Sequence, residues 1–211
     1  MNLIETFKTY ANSVQIYVKT ANIATPHYSS KRKIEYQVGR QCAEAAIKEM
    51  TKNKGKIIDL KQNKDGSTQW PTGVTGSITH SQNIILAIVA SSSIYSGLGI
   101  DIEKIIDPIF AKKLITRIAN KSEQQLLNKN LSISTLASII FSGKETLFKA
   151  LYPLTHKRFY CRDAEIIAID HNKKQWQIRL LTTLSTSHNV GQIYHGKYFI
   201  NQQLVISYIS I

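Results

Sequence analysis

The clearest signal along the chain is an unbroken apolar run, Ile84–Ala90, of the length and β-branched composition of a buried strand. A second Ile-rich run spans 94–106, punctuated by Gly97 and Gly99 and carrying two acids, Asp101 and Glu103. Read as a strand, it puts both carboxylates on one face and Ile100 and Ile102 on the other. Upstream, Ile34, Val38, Ala45 and Ala46 recur near helical spacing, predicting a helix from Ser29 to about Lys52 that ends at "TKNKGK". "KQNKDGST" reads as a turn, and Pro71, Gly73 and Gly76 predict a loop that includes "GSITHS". After Asp107 the period changes. Phe110–Ile118 and Glu123–Leu127 read as helix pieces, and "TLASIIFSGKETLFKALYP" as a long helix ended by Pro153. The last fifty residues alternate strands and turns: "AEIIAID", "QWQIRLL", "GQIYHGKYFI" and "QLVISYIS". Helices and strands occur in both halves without a βαβ rhythm, so the expected class is α+β.

Composition narrows the setting. A chain of 211 residues with 43% hydrophobic content builds one large domain or two small packed ones. No stretch approaches the roughly 20 apolar residues of a membrane span, and the first twenty residues lack a secretory signal pattern. Two cysteines, Cys42 and Cys161, make no disulfide framework and no metal-type spacing. A reducing, cytoplasmic setting is the expectation. The formal charge of +13 favours an anionic partner: nucleic acid, an acidic protein surface or a phosphorylated cofactor. The basic residues are dispersed, densest at Lys31–Lys33 and across Lys52–Lys64, and no nucleic-acid fold motif appears.

Candidate chemistry begins with the acids. Asp101 and Glu103 on one strand face repel, so a cation between them, Mg²⁺ by its taste for oxygen ligands, competes with a simple solvated acidic face beside Lys104. Glu145 and Lys149 are i and i+4 on one helix face, either a surface ion pair or a ligand and a phosphate-facing cation. Ser142-x-x-Glu145 has the form of a capping box, but apolar periodicity already runs through Leu136–Phe141. "GSITHS" offers hydroxyls, backbone N–H groups and His80 to an anion. Arg32 and Arg40 lie about 12 Å apart along a helix axis with a modest angular offset, so they either meet one extended polyanion or are simply solvated.

The order of these pieces resembles a known family. Gly39–Arg40 in a basic helix, "WPTGVTGSITHS", "GIDIEK" and, some forty residues on, "FSGKETLFKALYP" resemble the 4′-phosphopantetheinyl transferases of the surfactin-synthetase-activating type, most of all the enterobactin synthetase component D branch. The likeness covers roughly residues 31–153. It implies two similar α+β halves, approximately 1–106 and 107–211, related by a pseudo-twofold axis within one monomeric unit. Coenzyme A would bind in the cleft between them. By position, Asp101, Glu103 and Glu145 would bind Mg²⁺, Glu145 or a metal-bound water would take the proton of the attacking serine, and Lys149 would meet the pyrophosphate. Asp101 also counts with the cofactor-binding set. Arg32, Arg40, Thr79 and His80 would meet the nucleotide end, with Lys61 and Lys64 as further basic candidates. Gly143 stands where the branch often has Ala. The implied reaction moves phosphopantetheine from coenzyme A to a serine of an apo carrier domain of a nonribosomal peptide synthetase or a polyketide system, for a siderophore or an antibiotic. The basic charge would then meet an acidic carrier helix. The alternatives are a basic nucleic-acid-binding module and a different Mg²⁺-dependent phosphoryl-transfer enzyme such as a nuclease.

Overall fold

The computed structural model describes residues 2–24, 28–53, 55, 58–126 and 131–211. Leu127, at the end of the second short helix piece, and residues 54, 56 and 57 within the basic group lie outside the described residues.

The chain opens with helix α1 (Leu3–Ser13), capped by the Asn2 side chain, which accepts the Ile4 N–H at 3.1 Å. Leu3, Phe7 and Ala11, spaced by one turn, form its buried stripe. Strand β1 (Tyr17–Asn22), helix α2 (Tyr28–Met50) and strands β2 (Val74–Ser81) and β3 (Ile84–Ser91) complete a three-stranded antiparallel layer in the order β1-β3-β2. The buried run read from the sequence is its central strand, covered by Cys42, Ala43, Ala46 and Ile47 of α2. The segment "GSITHS", expected in a loop, is instead the body of β2. Two residues, Gln82 and Asn83, both at positive φ (50° and 63°), close a tight hairpin that puts it in register with β3. Gly76 is there for packing: a Cβ would meet the Trp70 ring at 2.6 Å and the Ile88 carbonyl at 2.7 Å.

Strand β4 (Leu98–Lys104) pairs with β8 (Leu204–Ser210) and belongs to a five-stranded antiparallel sheet, β4-β8-β7-β6-β5. The other strands are β5 (Ala164–Asp170), β6 (Gln175–Leu180) and β7 (Ile193–Ile200), matching the four strands expected in the last fifty residues. Helices α3 (Pro108–Ile118), α4 (Lys121–Gln124) and α5 (Ile133–Thr155) connect the layers. Asp107 and Pro108 start α3, and Asn120 with Glu123 form a capping box on α4. Pro153, expected to end the long helix, lies inside its last turn, and α5 runs on to Thr155 before His156 turns left-handed at φ 51°. So close to a C-terminus a proline forfeits little of the helical ladder.

The sheets meet edge to edge through side chains. β2 and β4 are both edge strands, and the hydroxyls of Ser77 and Thr79 accept the Ile100 and Ile102 N–H groups, each at 3.2 Å. Helix α5 lies directly on β4. A Cβ on Gly97 would meet the Ala150 carbonyl at 2.7 Å, and one on Gly99 would fall on the Thr146 carbonyl. The two glycines that punctuate the apolar run thus set the helix-to-strand distance. Gly99→Ala is expected to cost about 1–3 kcal/mol, because α5 must lift off β4. A thermal or urea unfolding curve unchanged from wild type would contradict this packing.

Candidate active site

Asp101 sits on β4 where α5 and β2 converge. It is buried, at 3% exposure. Its Oδ1 accepts from Lys149 Nζ at 2.6 Å and from Thr79 Oγ1 at 3.2 Å, and Lys149 also donates to Thr79 Oγ1 at 3.2 Å. Its Oδ2 is buried and, among the described residues, has no hydrogen-bond partner. The mid-helix Ser142 hydroxyl donates to the Asp101 carbonyl at 3.5 Å, so Ser142 is a packing contact and not a cap. Glu103 and Glu145 border the same point. Burial, then the Asp101 charge, push the Glu103 carboxyl up to about 7, with Lys149 opposing and Glu145 adding. Burial likewise raises Glu145, with Lys149 opposing and Asp101 adding. Three carboxyls are therefore gathered round one ammonium, and two of them resist ionising. Among the described residues no three ligand-type side chains already stand in metal-binding geometry. The donor set is all oxygen, short of positive charge, and holds one buried oxygen without a partner. It fits a hard divalent cation.

A cleft of about 430 Å³ opens beside this cluster. Helix α2 contributes Arg32, Glu35, Tyr36 and Arg40 from one face, as the eight-residue spacing of the arginines predicts. The Arg40 guanidinium lies over the Tyr36 ring, 4.4 Å from its centroid. His80 projects from β2, its Nδ1 3.5 Å from Glu35 Oε1. Thr79, its neighbour, faces the carboxylates and not the wall that carries Arg32, Arg40 and His80. Lys149 lines the cleft where it meets Asp101.

The far wall departs from the sequence reading. Neither Lys61 nor Lys64 lines the cleft; the hairpin between them and Trp70 does so through Gln62 and Asp65–Thr68. Tyr152 Oη donates to Asp65 Oδ2 at 2.9 Å and Arg158 to the Asp65 carbonyl at 3.4 Å, tying the hairpin to the end of α5. Hydrogen bonds from Ser67, then Tyr152, hold the exposed Asp65 carboxyl down at about 2. Arg158, Tyr152 and Asp65 carry no motif that singles them out; only the fold brings them together.

A second hollow, about 640 Å³, adjoins the first. Glu145 lines it, and Phe148 and Arg158 line both. Its other walls come from Arg117, Ile118 and the segment Phe159–Arg162. Lys144, beside Glu145 in sequence, lines this hollow too, but its ammonium is taken up by protein. It is buried and donates to Glu123 at 2.9 Å, the Ile118 carbonyl at 2.7 Å and the Cys161 carbonyl at 2.8 Å. The site thus has two approaches, both carrying basic side chains, that meet at Phe148 and Arg158, with Lys149 on the first and Glu145 on the second. An anionic group in the first and a nucleophile entering through the second would come together beside three carboxylates.

Comparison with known proteins identifies the family. Residues 22–90 match the model of the 4′-phosphopantetheinyl transferase N-terminal domain, and residues 97–208, just over half the chain, that of the 4′-phosphopantetheinyl transferase superfamily. The chain is 32% identical to enterobactin synthase component D of Escherichia coli (strain K12) over 190 residues, 86% of this chain and 82% of that protein. It is 31% identical to the 4′-phosphopantetheinyl transferase Svp of Streptomyces mobaraensis over 160 residues, 72% of this chain and 60% of that one. It is 35% identical to enterobactin synthase component D of Salmonella typhimurium over 122 residues, 57% and 48% respectively. The matched stretch therefore spans about half the length of some of these relatives and four fifths of another. With both family models matched in order across the cleft and the carboxylate cluster, the chain belongs to the 4′-phosphopantetheinyl transferase superfamily.

Proposed function

We propose that this protein transfers 4′-phosphopantetheine from coenzyme A to a serine of an apo carrier domain and releases adenosine 3′,5′-bisphosphate. Its carriers are those of nonribosomal peptide synthesis of a siderophore or antibiotic. The observation that carries this reading is Lys149, which lines a cleft with Arg32, Arg40 and His80 and donates to Asp101, the acid whose charge acts on Glu103 and Glu145. A nucleotide with a pyrophosphate needs such a sequence of groups. The protein acts as a monomer in the cytoplasm, with the cleft between its two halves as the working site. No described helix is long and apolar enough to cross a membrane.

The roles follow from position. Asp101, Glu103 and Glu145 would hold Mg²⁺, and the Asp101 Oδ2, unpartnered among the described residues, supports that assignment. Bound there, the ion supplies Lewis-acid stabilisation of charge building on the pyrophosphate. Lys149 adds an ammonium on the same group. Arg32 and Arg40 grip the phosphate at the nucleotide end, and His80 donates beside them. Thr79 orients Asp101 and Lys149. The carrier serine enters past Glu145 and attacks the phosphorus that bears the pantetheine arm. Its Oγ–P bond forms as the P–O bond to the nucleotide phosphate breaks, and its proton passes to a Glu145 oxygen. Glu145 is the carboxylate that lines the hollow beyond Lys149, which places it to meet that proton.

The test is intact-mass spectrometry of an apo peptidyl carrier domain incubated with the protein, coenzyme A and Mg²⁺, in parallel with EDTA and with Glu145→Ala. A phosphopantetheine increment absent from both controls is expected. If carriers from several synthases all stay unmodified with Mg²⁺ present, the transferase reading fails. Salt-sensitive binding of DNA would then be measured next.

A further inference from the structure

A third hollow, about 370 Å³, lies between α1, the β5–β6 turn and the end of β7, and shares no lining residue with the other two. We infer that it binds a small amphipathic anion, a carboxylate, phosphate or sulfonate on an aromatic or apolar body, through Lys173, Lys174 and Lys197 set round an aromatic floor.

Its floor is apolar: Leu3 and Tyr10 come from α1, Phe199 and Ile200 from β7. The Tyr10 ring packs against Phe199 at 5.5 Å and Tyr208 at 5.8 Å between centroids, so it is fixed. Lys197 Nζ lies 5.1 Å from the Tyr10 centroid and Lys174 Nζ 5.7 Å from that of Tyr198. No acid lines the hollow, and none of the three lysines makes an ion pair among the described residues. Lys197 is half-buried even so. Asp170, in the same turn, accepts the Asn172 and Lys173 backbone N–H groups at 3.0 and 2.9 Å through Oδ1, and its charge acts on Lys173.

The turn that carries Lys173 and Lys174, both exposed, is itself held in place. The Tyr198 N–H donates to the Lys174 carbonyl at 2.9 Å, and Tyr198 Oη lies 2.7 Å from His171 Nδ1, so the turn is bound to β7 at two points. Lys174 itself takes φ 53°, a conformation that costs a non-glycine residue energy and turns its side chain over the Tyr198 ring. Three ammoniums set against the single Asp170 carboxylate, whose charge acts on Lys173, keep a net positive charge and repel one another. An anion relieves that repulsion, and the aromatic floor gives its body a surface to cover. The size favours a small molecule: the volume falls in the range of ligand pockets, which combine an apolar lining with a few fixed polar groups.

The test uses ¹H–¹⁵N NMR of the full chain titrated with naphthalene-2-sulfonate, with inorganic sulfate and neutral 2-naphthylmethanol as parallel arms. Saturable shifts at the amides of Tyr10, Lys174, Lys197 and Asn201 are expected with the aromatic anion alone. Lys174→Glu combined with Lys197→Glu should weaken binding about tenfold or more. Thr6→Trp, which fills the hollow without changing charge, should weaken it as well. Shifts scattered over the basic surface, equal shifts with sulfate, or undiminished binding in either variant would overturn the site. No arm depends on coenzyme A, so the result stands apart from the transferase reading.

Discussion

Asp101→Asn is expected to lower kcat/KM for carrier modification by about a thousandfold or more, while the protein stays folded. The substitution keeps the shape of the side chain and an oxygen for the Thr79 hydroxyl. It removes one charge from a buried position that Lys149 contacts directly and that two further carboxyls surround. A cation bound there loses a charged ligand, and Lys149 loses the partner that places its ammonium. Stability moves the other way. Glu103 titrates at about 7 in the folded protein because burial and Asp101 both favour its neutral form. Its folded pKa is raised, so in cation-free protein this group's contribution is fully present below its unfolded pKa, about 4.5, and is lost as pH rises through about 7. Asp101→Asn removes the second cause, and the fall in Tm between about pH 5 and pH 8 should become shallower than in wild type. Near-wild-type turnover by the variant would remove Asp101 from the site; a steeper fall in Tm would show that Asp101 does not burden Glu103.

The carboxylate cluster was legible in the sequence because its parts lie on regular elements. Alternation alone puts Asp101 and Glu103 on one face, and helical spacing alone brings Arg32 and Arg40 to one side. The cleft's far wall was not legible. Asp65, Tyr152 and Arg158 are separated by 87 and 93 residues from their partners across the contact, and no local pattern encodes that. Misreadings arose where a residue's usual role was overridden by packing. Gly76 suggests a turn until the Trp70 ring is seen against it, and Pro153 suggests an end until the helix is seen to have only two residues left. Ser77 and Thr79 read as loop hydroxyls for an anion. Their oxygens instead satisfy the N–H groups of a neighbouring sheet's edge strand, which would otherwise be buried unpaired. The N-terminal helix was not read from the sequence: its stripe of Leu3, Phe7 and Ala11 spans only about three turns, and the strand and sheet it covers lie elsewhere in the chain. Lys144 is the sharpest case. In sequence it stands between a candidate ligand and a glycine, as exposed-looking as any lysine in a basic chain.

The structure makes Lys144 one of the costliest residues to replace. Its ammonium is 3% exposed and Glu123 is fully buried, so neither charge has water. Each is instead saturated by protein. Lys144 donates to two backbone carbonyls besides the carboxylate, and Glu123 accepts the N–H groups of Asn120 and Ile166 at 2.8 Å. One pair thereby fastens α5 to the end of α3, the start of α4, the Cys161 segment and β5. Lys144→Met leaves the Glu123 carboxylate buried without its counter-ion, and breaking such a pair costs about 3–5 kcal/mol. The double variant Lys144→Met, Glu123→Leu should recover part of that loss, since two apolar groups leave no buried charge behind, though the Asn120 and Ile166 N–H groups then lack an acceptor. Urea unfolding of both variants decides the matter. If Lys144→Met unfolds at the wild-type denaturant concentration, the pair does not hold these elements together. If the double variant is no more stable than the single one, the cost lies in the lost backbone bonds and not in the stranded charge. In either variant the segment Phe159–Arg162 loses its tie to α5; if the carrier enters past Glu145 as proposed, any remaining activity should show a raised KM for the carrier before a raised KM for coenzyme A.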